Sequence, residues 1–488
     1  SEQFFNRELS LLEFNRRVLY QSYDRTLPLL ERLRFLCIFS TNQDEFFEVR
    51  VGGLVQMLEV GTSAIPSDGL GHADNLAAIA QISHQLVAEQ YSILNKEIIP
   101  LLRERDIYIV RRDEWAEAQI AYLREYFATE VLPLLSPIGL DPAHPFPRIL
   151  NKSLNFIVKL DGKDAFGRNS GRAIVQVPRS LPNMVELPDG VAKVGREFVF
   201  MSSIIHYFMG EIFVGMEVID CYQFRLTRNS DIFLDEEETD DLLRAVQGEL
   251  VYRQYGDEVR LEITGTCPPD IEEFLLSRCE IHKRDLYRVD GPVNLNRLSD
   301  LFDLVDDPSL FFKPFVQSMP KLPKRADNYF QALKKNDILL HHPFDSFQSV
   351  VDFLREAAVD PHVLAIKQTL YRTGSNSPVV DALVAAAKAG KEVTAIVELR
   401  ARFDEEQNVA LAERLQRYGI HVIYGVVGYK THAKMLLVAR REEKKLRYYV
   451  HLGTGNYHPK TTKLYTDYGL MTSDTDICAD VYRIFIQL

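Results

Sequence analysis

The sequence predicts a multidomain chain of α and α+β parts, closing in an α/β domain whose mixed sheet is flanked by helices. Three observations predict this. At 488 residues the chain is too long for one hydrophobic core. The first hundred residues carry apolar positions at helical spacing. From about residue 318, strand-like and helical runs alternate.

Residues 1–105 read as a helical domain. In "NRELSLLEFNRRVLYQSYD" the apolar Leu9, Leu12, Phe14, Val18 and Leu19 recur near helical spacing. Pro28 opens "PLLERLRFLCIF", a common way to start a helix. "ADNLAAIAQISHQLVAEQYSILNKEI" is a third, longer helix. Residues 106–317 mix strand-like runs ("NFIVKL", "RAIVQV", "EFVFM", "DCYQFRLTRN", "EVRLEIT") with helical ones ("ETDDLLRAVQGELVYRQY", "PDIEEFLLSRC"). That texture predicts an α+β domain, and nothing in it looks catalytic. No internal repeat or low-complexity segment interrupts the chain.

Residues 318–488 change character. "HVLAIKQTLYR" reads as a strand, "SPVVDALVAAAKAGK" as a helix, "EVTAIVEL" as a strand, "DEEQNVALAERLQRYG" as a helix and "HVIYGV" as a strand. This is a parallel βαβαβ unit. "HAKMLLVARR" and "LRYYVHLGTG" then add strands without a helix between them, so the sheet becomes mixed. Ligands in such sheets gather at the carboxyl ends of strands. Arg372 ends the first strand, Arg402 follows the second, and Gly453–Asn456 follow "YYVHL".

Composition narrows the class. The five cysteines (37, 221, 267, 279 and 478) form no CxxC pair, which argues against a cysteine zinc site or a disulfide framework and suits a reducing cytosol. The most membrane-like stretch, "FVFMSSIIHYFMGEIF", is interrupted by His206 and Glu211 and is too short to span a bilayer. No signal peptide opens the chain, and Ser1 suggests a processed start. The net charge of −12 is uneven: from Ser318 onward there are 24 Lys+Arg against 19 Asp+Glu, and before it 33 against 50. A basic final part is where an anionic substrate would go, although uneven solvated faces explain it equally well.

The chemistry centres on "THAKMLL". His432 and Lys434, two apart in a strand, share a face. On a strand so apolar, both must be hydrogen-bonded, paired or aimed at a ligand. A lone histidine is usually structural. Here "GTGN" (453–456) supplies small residues, backbone N–H groups and the Asn456 amide at a turn suited to an anion, and Arg372 and Arg402 supply planar forks that match phosphate oxygens. A neutral imidazole is also a nucleophile. Each signal has an ordinary alternative: Arg402 pairing with Asp404 or Glu405, Arg372 as a solvated strand end, "GTGN" as a plain turn, and "KTTK" (460–463) as a basic turn.

The runs "IKQTLYR", "VELRARFDEE", "THAKMLL" and "HLGTGNYHPKTTKLYTDYGL" resemble the polyphosphate kinase family of the histidine-phosphorylated type. "RELSLLEFNRRVL" and "LRFLCIFSTNQDEFFEVR" extend the resemblance over nearly the whole chain. It implies catalytic domains of phospholipase-D-like fold, with residues 318–488 as the first and its partner beyond Leu488. A phosphohistidine at His432, with Lys434 and Asn456 beside it, is implied. So are ATP-binding positions at Asn42 and Tyr465, and Arg372 and Arg402 at a magnesium–phosphate cluster. Arginine is a donor only, so those two would act through phosphate oxygens rather than on Mg2+ itself. Asn42 with Glu45 also fits a helix capping box, and Tyr465 also fits a core position.

The implied function is reversible transfer of the ATP γ-phosphate through His432 to a growing inorganic polyphosphate chain, releasing ADP. The implied partners are ATP/ADP, polyphosphate and further copies of the chain, a homodimer or higher homo-oligomer, with no nucleic acid. The N-terminal helical part would roof the nucleotide, and residues 106–317 would make dimer contacts. The location is cytoplasmic, with peripheral membrane attachment left open. Two competitors stand beside it: a phospholipase-D-like phosphodiesterase or nuclease working as a dimer, and an inactive polyphosphate-binding fragment. Ala439 weighs against the first, because H-x-K-x4-D would need an aspartate there.

Overall fold

Asn6 sets the start of the first helix. Its side chain accepts the Leu9 backbone N–H at 2.9 Å, satisfying one of the donors that a helix start leaves open. The helix runs Arg7–Tyr20 and buries Leu12 and Leu19, two of the positions its spacing marks. Leu29–Glu45 follows directly after Pro28, and the long helix expected third is His72–Ile93, preceded by a shorter one at Gly52–Glu59. The computed structural model describes residues 3–61, 66–140, 145–163, 171–230, 256–319, 328–374, 377–399, 401, 404–426 and 429–488. The helix expected over "ETDDLLRAVQGELVYRQY" lies outside them, and so does Arg402. The chain divides into two compact units, Ser1–Asp231 with Arg253–Lys313, and Ile232–Tyr252 with Pro314–Leu488.

The first unit joins its helices to two sheets. Among the described residues, the larger orders Pro137–Gly139, Arg172–Gln176, Leu154–Asp161, Glu217–Arg228, Glu258–Thr264 and Leu286–Val289, antiparallel except for the last pair. The smaller places Arg196–Phe200 between Ile107–Ile109 and Met184–Glu186. "FVFMSSIIHYFMGEIF" supplies the end of that central strand and two short helices, Met201–Tyr207 and Met209–Ile212. Among the described residues, no helix is long and apolar enough to cross a membrane.

A buried ion cluster ties the helices of this unit to the larger sheet. Asp44, near the end of Leu29–Glu45, pairs with Arg225 and Arg260, and both arginines also pair with Glu262. Burial alone would raise the Asp44 pKa; the two guanidinium groups more than offset it and hold the carboxyl below its ordinary value. Arg260 also lies 4.7 Å from the centre of the Phe47 ring, which lends it a cation–π contact on the helical side.

The second unit is built on a mixed sheet, seven-stranded among the described residues. In chain order its elements are β1 (Ile338–His342), α1 (Gln348–Val359), β2 (Val363–Leu370), α2 (Pro378–Lys388), β3 (Glu392–Val397), α3 (Glu405–Arg417) and β4 (His421–Ile423). Then come β5 (Lys434–Glu442), β6 (Lys445–Gly453), β7 (Asp467–Thr472) and α4 (Thr475–Gln487). The spatial order is β1-β7-β6-β5-β2-β3-β4. β2, β3 and β4 are parallel, and helices α2 and α3 carry the crossovers that a tight turn cannot. The other neighbours are antiparallel. β1, from "DILLHH", is a strand the sequence reading did not anticipate. Among the described residues it is an edge strand, paired with β7, and Leu339 is 63% exposed, so it lacks the apolar run that marks a buried strand.

β5 is buried on both faces. Leu436 and Val438 join a core with Phe353 of α1 and Leu383 of α2, while Met435 and Leu437 join another with Val481 and Phe485 of α4. Burial on two sides explains its unbroken apolar run. The strand nevertheless starts later than expected, at Lys434, so His432 precedes it instead of opening it. Thr369 is the reason. Backbone pairing with β2 ends at Gln368 opposite Leu436. Beyond it the Thr369 hydroxyl donates to the Ala433 carbonyl at 2.7 Å and accepts the Met435 N–H at 3.0 Å.

Asp44→Ala leaves two buried guanidinium groups sharing one carboxylate, and should cost about 3–5 kcal/mol. The folded pKa of Asp44 is depressed, so its stabilisation is complete above the ordinary value of 3.8 and is lost as pH falls through the depressed one. Denaturant midpoints of this unit, followed from pH 7 downward, measure both effects. Equal midpoints for variant and wild type at pH 7 would show that the cluster does not hold the unit together.

Candidate active site

The β5–β6 hairpin pairs from Lys434 opposite Gly453 to Glu442 opposite Lys445. In this register the residues before β5 and those after β6 emerge at one end of the sheet. β2 runs antiparallel to β5, so its carboxyl end arrives at the same edge and delivers Tyr371 and Arg372. β3, parallel to β2, brings Glu398 there, and β7 begins there with Asp467.

His432 is exposed and stands edge-on to the Tyr371 ring, with centroids 4.9 Å apart and planes at 77°. The Lys434 ammonium lies 4.9 Å from the centre of the same ring and donates to the His432 carbonyl. Arg372 lies 5.7 Å from that ring. Tyr371 is therefore the common surface of three polar side chains. From behind, the Thr431 N–H donates to Glu398 Oε2 at 2.7 Å, which pins the segment carrying His432 to the end of β3.

Burial, then the charges of Lys434 and Arg372, lower the His432 pKa from its ordinary 6.5, so the ring is neutral at pH 7 with a free lone pair. Burial lowers Lys434 to about 8, against the pull of Asp467. Arg372 sits two residues past β2 with φ of 51°, a left-handed conformation uncommon for a side chain larger than glycine. Its Nε pairs with Asp404 Oδ2 at 3.1 Å, just before α3. It is thus half-buried and ion-paired, not a solvated strand end. Asp404 thus pairs with Arg372; the pairing expected for Arg402, with Asp404 or Glu405, lies outside the described residues.

The turn after β6 is fixed by Asp467. The Thr454 hydroxyl donates to Asp467 Oδ1 at 2.8 Å and accepts the Tyr468 N–H at 2.9 Å. A Cβ on Gly455 would overlap the Asp467 carboxylate, so glycine is required there. Asn456 is half-buried next in line, its carbonyl accepting the His458 N–H at 2.8 Å. Beneath the turn His451 is buried against the Tyr457 hydroxyl at 2.8 Å, and burial pushes its pKa down to about 3. Within "KTTK", Thr461–Lys463 form a short 3-10 segment.

Tyr465 follows that turn and is 63% exposed, so it is not a core residue and its ring is open to a ligand. Asn42, in the other unit, is no helix cap. Leu29–Glu45 runs through it and continues as a wider turn over Phe46–Val51, and its amide donates to Asn15 Oδ1 at 3.1 Å. Tyr371, Glu398, Thr369 and Asp467 were not singled out by sequence. Apart from Arg372 beside Tyr371, their partners lie 13 to 66 residues away, where spacing carries no sign of contact. Among the described residues, no group of three or more His, Cys, Asp or Glu could hold a metal ion.

Three protein-family models match the chain: polyphosphate kinase N-terminal domain over residues 4–110, polyphosphate kinase middle domain over 118–301, and polyphosphate kinase C-terminal domain 1 over 328–488. The polyphosphate kinase of Pseudomonas syringae pv. tomato is 53% identical over 488 residues, spanning all of this chain and 66% of that protein. That of Pseudomonas aeruginosa is 52% identical, with 71% of its length covered. The crystal structure of polyphosphate kinase from Porphyromonas gingivalis superposes with a TM-score of 0.81 at 32% identity, over 99% of this chain and 69% of that one. The chain thus spans about two thirds of the length of these relatives.

Lys434 should become reactive toward an acylating reagent with a midpoint near pH 8, well below an ordinary lysine. Asp467→Asn removes the carboxylate that opposes this shift, and should move the midpoint lower still. Mass-spectrometric quantitation of acylation against pH reads both values. A midpoint near 10.5 in the wild type would show Lys434 to be freely solvated.

Proposed function

The chain belongs to the polyphosphate kinase family, and from that premise we propose that it transfers the γ-phosphate of ATP through His432 to inorganic polyphosphate. The observation that carries the reading is His432 itself: exposed, below its ordinary pKa, and held against Tyr371 with Lys434 and Arg372 beside it.

A ring nitrogen of His432 attacks the γ-phosphorus. The bond from that phosphorus to the β–γ bridging oxygen breaks, and its electron pair leaves with ADP. In the second step a terminal phosphate oxygen of the polymer attacks the phosphohistidine. The N–P bond breaks, and the imidazole regains its lone pair. Each step is reversible. Lys434 and Arg372 place positive charge where the phosphoryl oxygens gather it. Asn456 adds an amide at the edge of the same turn, and Arg402 falls on the segment between β3 and α3 and takes the same role as Arg372 in this reading. Tyr465 and Asn42 are the proposed nucleotide contacts.

Magnesium fits this donor set as an ion carried by phosphate oxygens, since Arg372 offers N–H donors and no lone pair. When bound, Mg2+ neutralises phosphate charge. The protein groups then orient the chain and keep the transferring phosphoryl in line. Homo-oligomeric assembly, a cytoplasmic site of action and a lack of nucleic-acid partners belong to the same proposal. A phosphodiesterase gains no support, because Ala439 lies buried within β5 where that chemistry would need an aspartate.

The full-length protein given γ-labelled ATP and magnesium should acquire an acid-labile, base-stable label at His432. His432→Ala should abolish both label and polymer. His432→Gln should fail equally, because an amide nitrogen is not a nucleophile. Normal polymer synthesis by His432→Ala would mean direct transfer from ATP to the chain. Arg372→Ala should lower kcat by an amount equivalent to roughly 3–4 kcal/mol. Unchanged kcat with reduced thermal stability would reduce Arg372 to its pairing with Asp404.

A further inference from the structure

His458 carries a hydrogen-bond donor that the reaction above leaves unused. Its Nδ1 accepts the backbone N–H of Lys460 at 3.0 Å, with the Thr461 N–H at 3.5 Å. A neutral imidazole whose Nδ1 accepts must carry its proton on Nε2. That Nε2 lies against the segment after β2: a Cβ placed on Gly374 would stand 2.8 Å from it. Gly374, at φ of 78°, is two residues beyond Arg372. Asp404, the ion partner of Arg372, is among the charges felt by His458. Among the described residues Nε2 meets no acceptor, although the ring is only half-exposed.

We propose that the Nε2–H of His458 donates to a non-transferred phosphate oxygen of the phosphate chain held at Arg372. This rests on the phosphotransfer reading of the site. A cationic His458 would add a further positive charge, but charging the ring would forfeit the accepted Lys460 N–H, and burial opposes it as well. The group is therefore a neutral donor with a fixed direction, complementing the buried charge of Lys434 and the ion-paired charge of Arg372.

The competing role is structural, with His458 serving only to cap the Thr461–Lys463 turn. The two roles fall on different ring nitrogens and can be separated. In His458→Asn the side-chain oxygen takes the place of Nδ1 and keeps the cap, while nothing replaces Nε2. With the full-length protein, steady-state kinetics should show KM rising about five- to tenfold for the substrate whose phosphates His458 touches, with kcat within about twofold and Tm unchanged. KM for ATP and for polyphosphate are measured separately, so the one that rises identifies the chain bound there. The Kd for that same substrate, taken by calorimetry, should weaken in parallel. His458→Ala should show the same rise together with a lower Tm. An asparagine variant with wild-type KM and Kd for both substrates overturns the proposal and leaves His458 as a cap. A wild-type protein that transfers no phosphate overturns the reading beneath it, before any variant is made.

Discussion

The pairing of Lys434 with Gly453 is the constraint on which the site depends. It makes the end of β6 level with the start of β5, and the antiparallel partners on either side then bring the end of β2 and the start of β7 to the same edge. Four segments far apart in sequence thereby supply one surface: Tyr371–Arg372, His432–Lys434, Gly453–Asn456 and Asp467. A slip of one residue would turn Lys434 from the face of Leu436 and Val438 to that of Met435 and Leu437, removing its ammonium from Tyr371. The register is secured by burial on both faces of β5. At its open end Thr369 takes over where backbone pairing stops. That change of partner frees His432 from the strand and leaves its ring exposed.

Much of this was legible in the sequence, for identifiable reasons. The parallel β2-β3-β4 core was legible because buried strands and amphipathic crossover helices have distinct periodicities. The placing of Arg372 and Gly453–Asn456 at strand ends followed from the same pattern. β1 was missed because an edge strand with Leu339 in solvent has no such pattern. The start of β5 was misplaced by two residues because the cause is a hydroxyl 66 positions away. Asn42 and Glu45 have the spacing of a capping box, but the helix passes through both, and local spacing cannot say that a helix has already begun. The pairing of Asp404 with Arg372 was equally hidden, because the fold delivers Arg372 from the end of another strand. The buried cluster of Asp44, Arg225, Arg260 and Glu262 gave no sequence signal at all, since each member reads alone as an ordinary surface charge.

A site for a polyanion could be made simply by massing lysine and arginine, yet the groups collected here are tempered. Lys434 is lowered to about 8, His432 is lowered from 6.5, Arg372 is ion-paired with Asp404, and His451 below the turn is kept uncharged by burial. For His432, Lys434 and His451 the leading cause is desolvation at one end of a sheet whose two faces are covered, and for His432 the charges of Lys434 and Arg372 add to it. For the phosphotransfer proposed above, with His432 as nucleophile, tempering has a chemical consequence. The nucleophile needs a lone pair, which a protonated imidazole lacks. The cations around it lower its pKa and so preserve that lone pair, while offering the positive charge that the phosphoryl oxygens require. It also has a consequence for turnover. If the proposed reaction runs here, a chain of phosphates that must advance after every addition is better served by donors of limited charge than by a fixed row of full ones, because binding common to ground state and transition state slows departure without lowering the barrier. In the proposed reaction, the desolvation that lowers the His432 and Lys434 pKa values would therefore also limit how tightly the site holds a polymer.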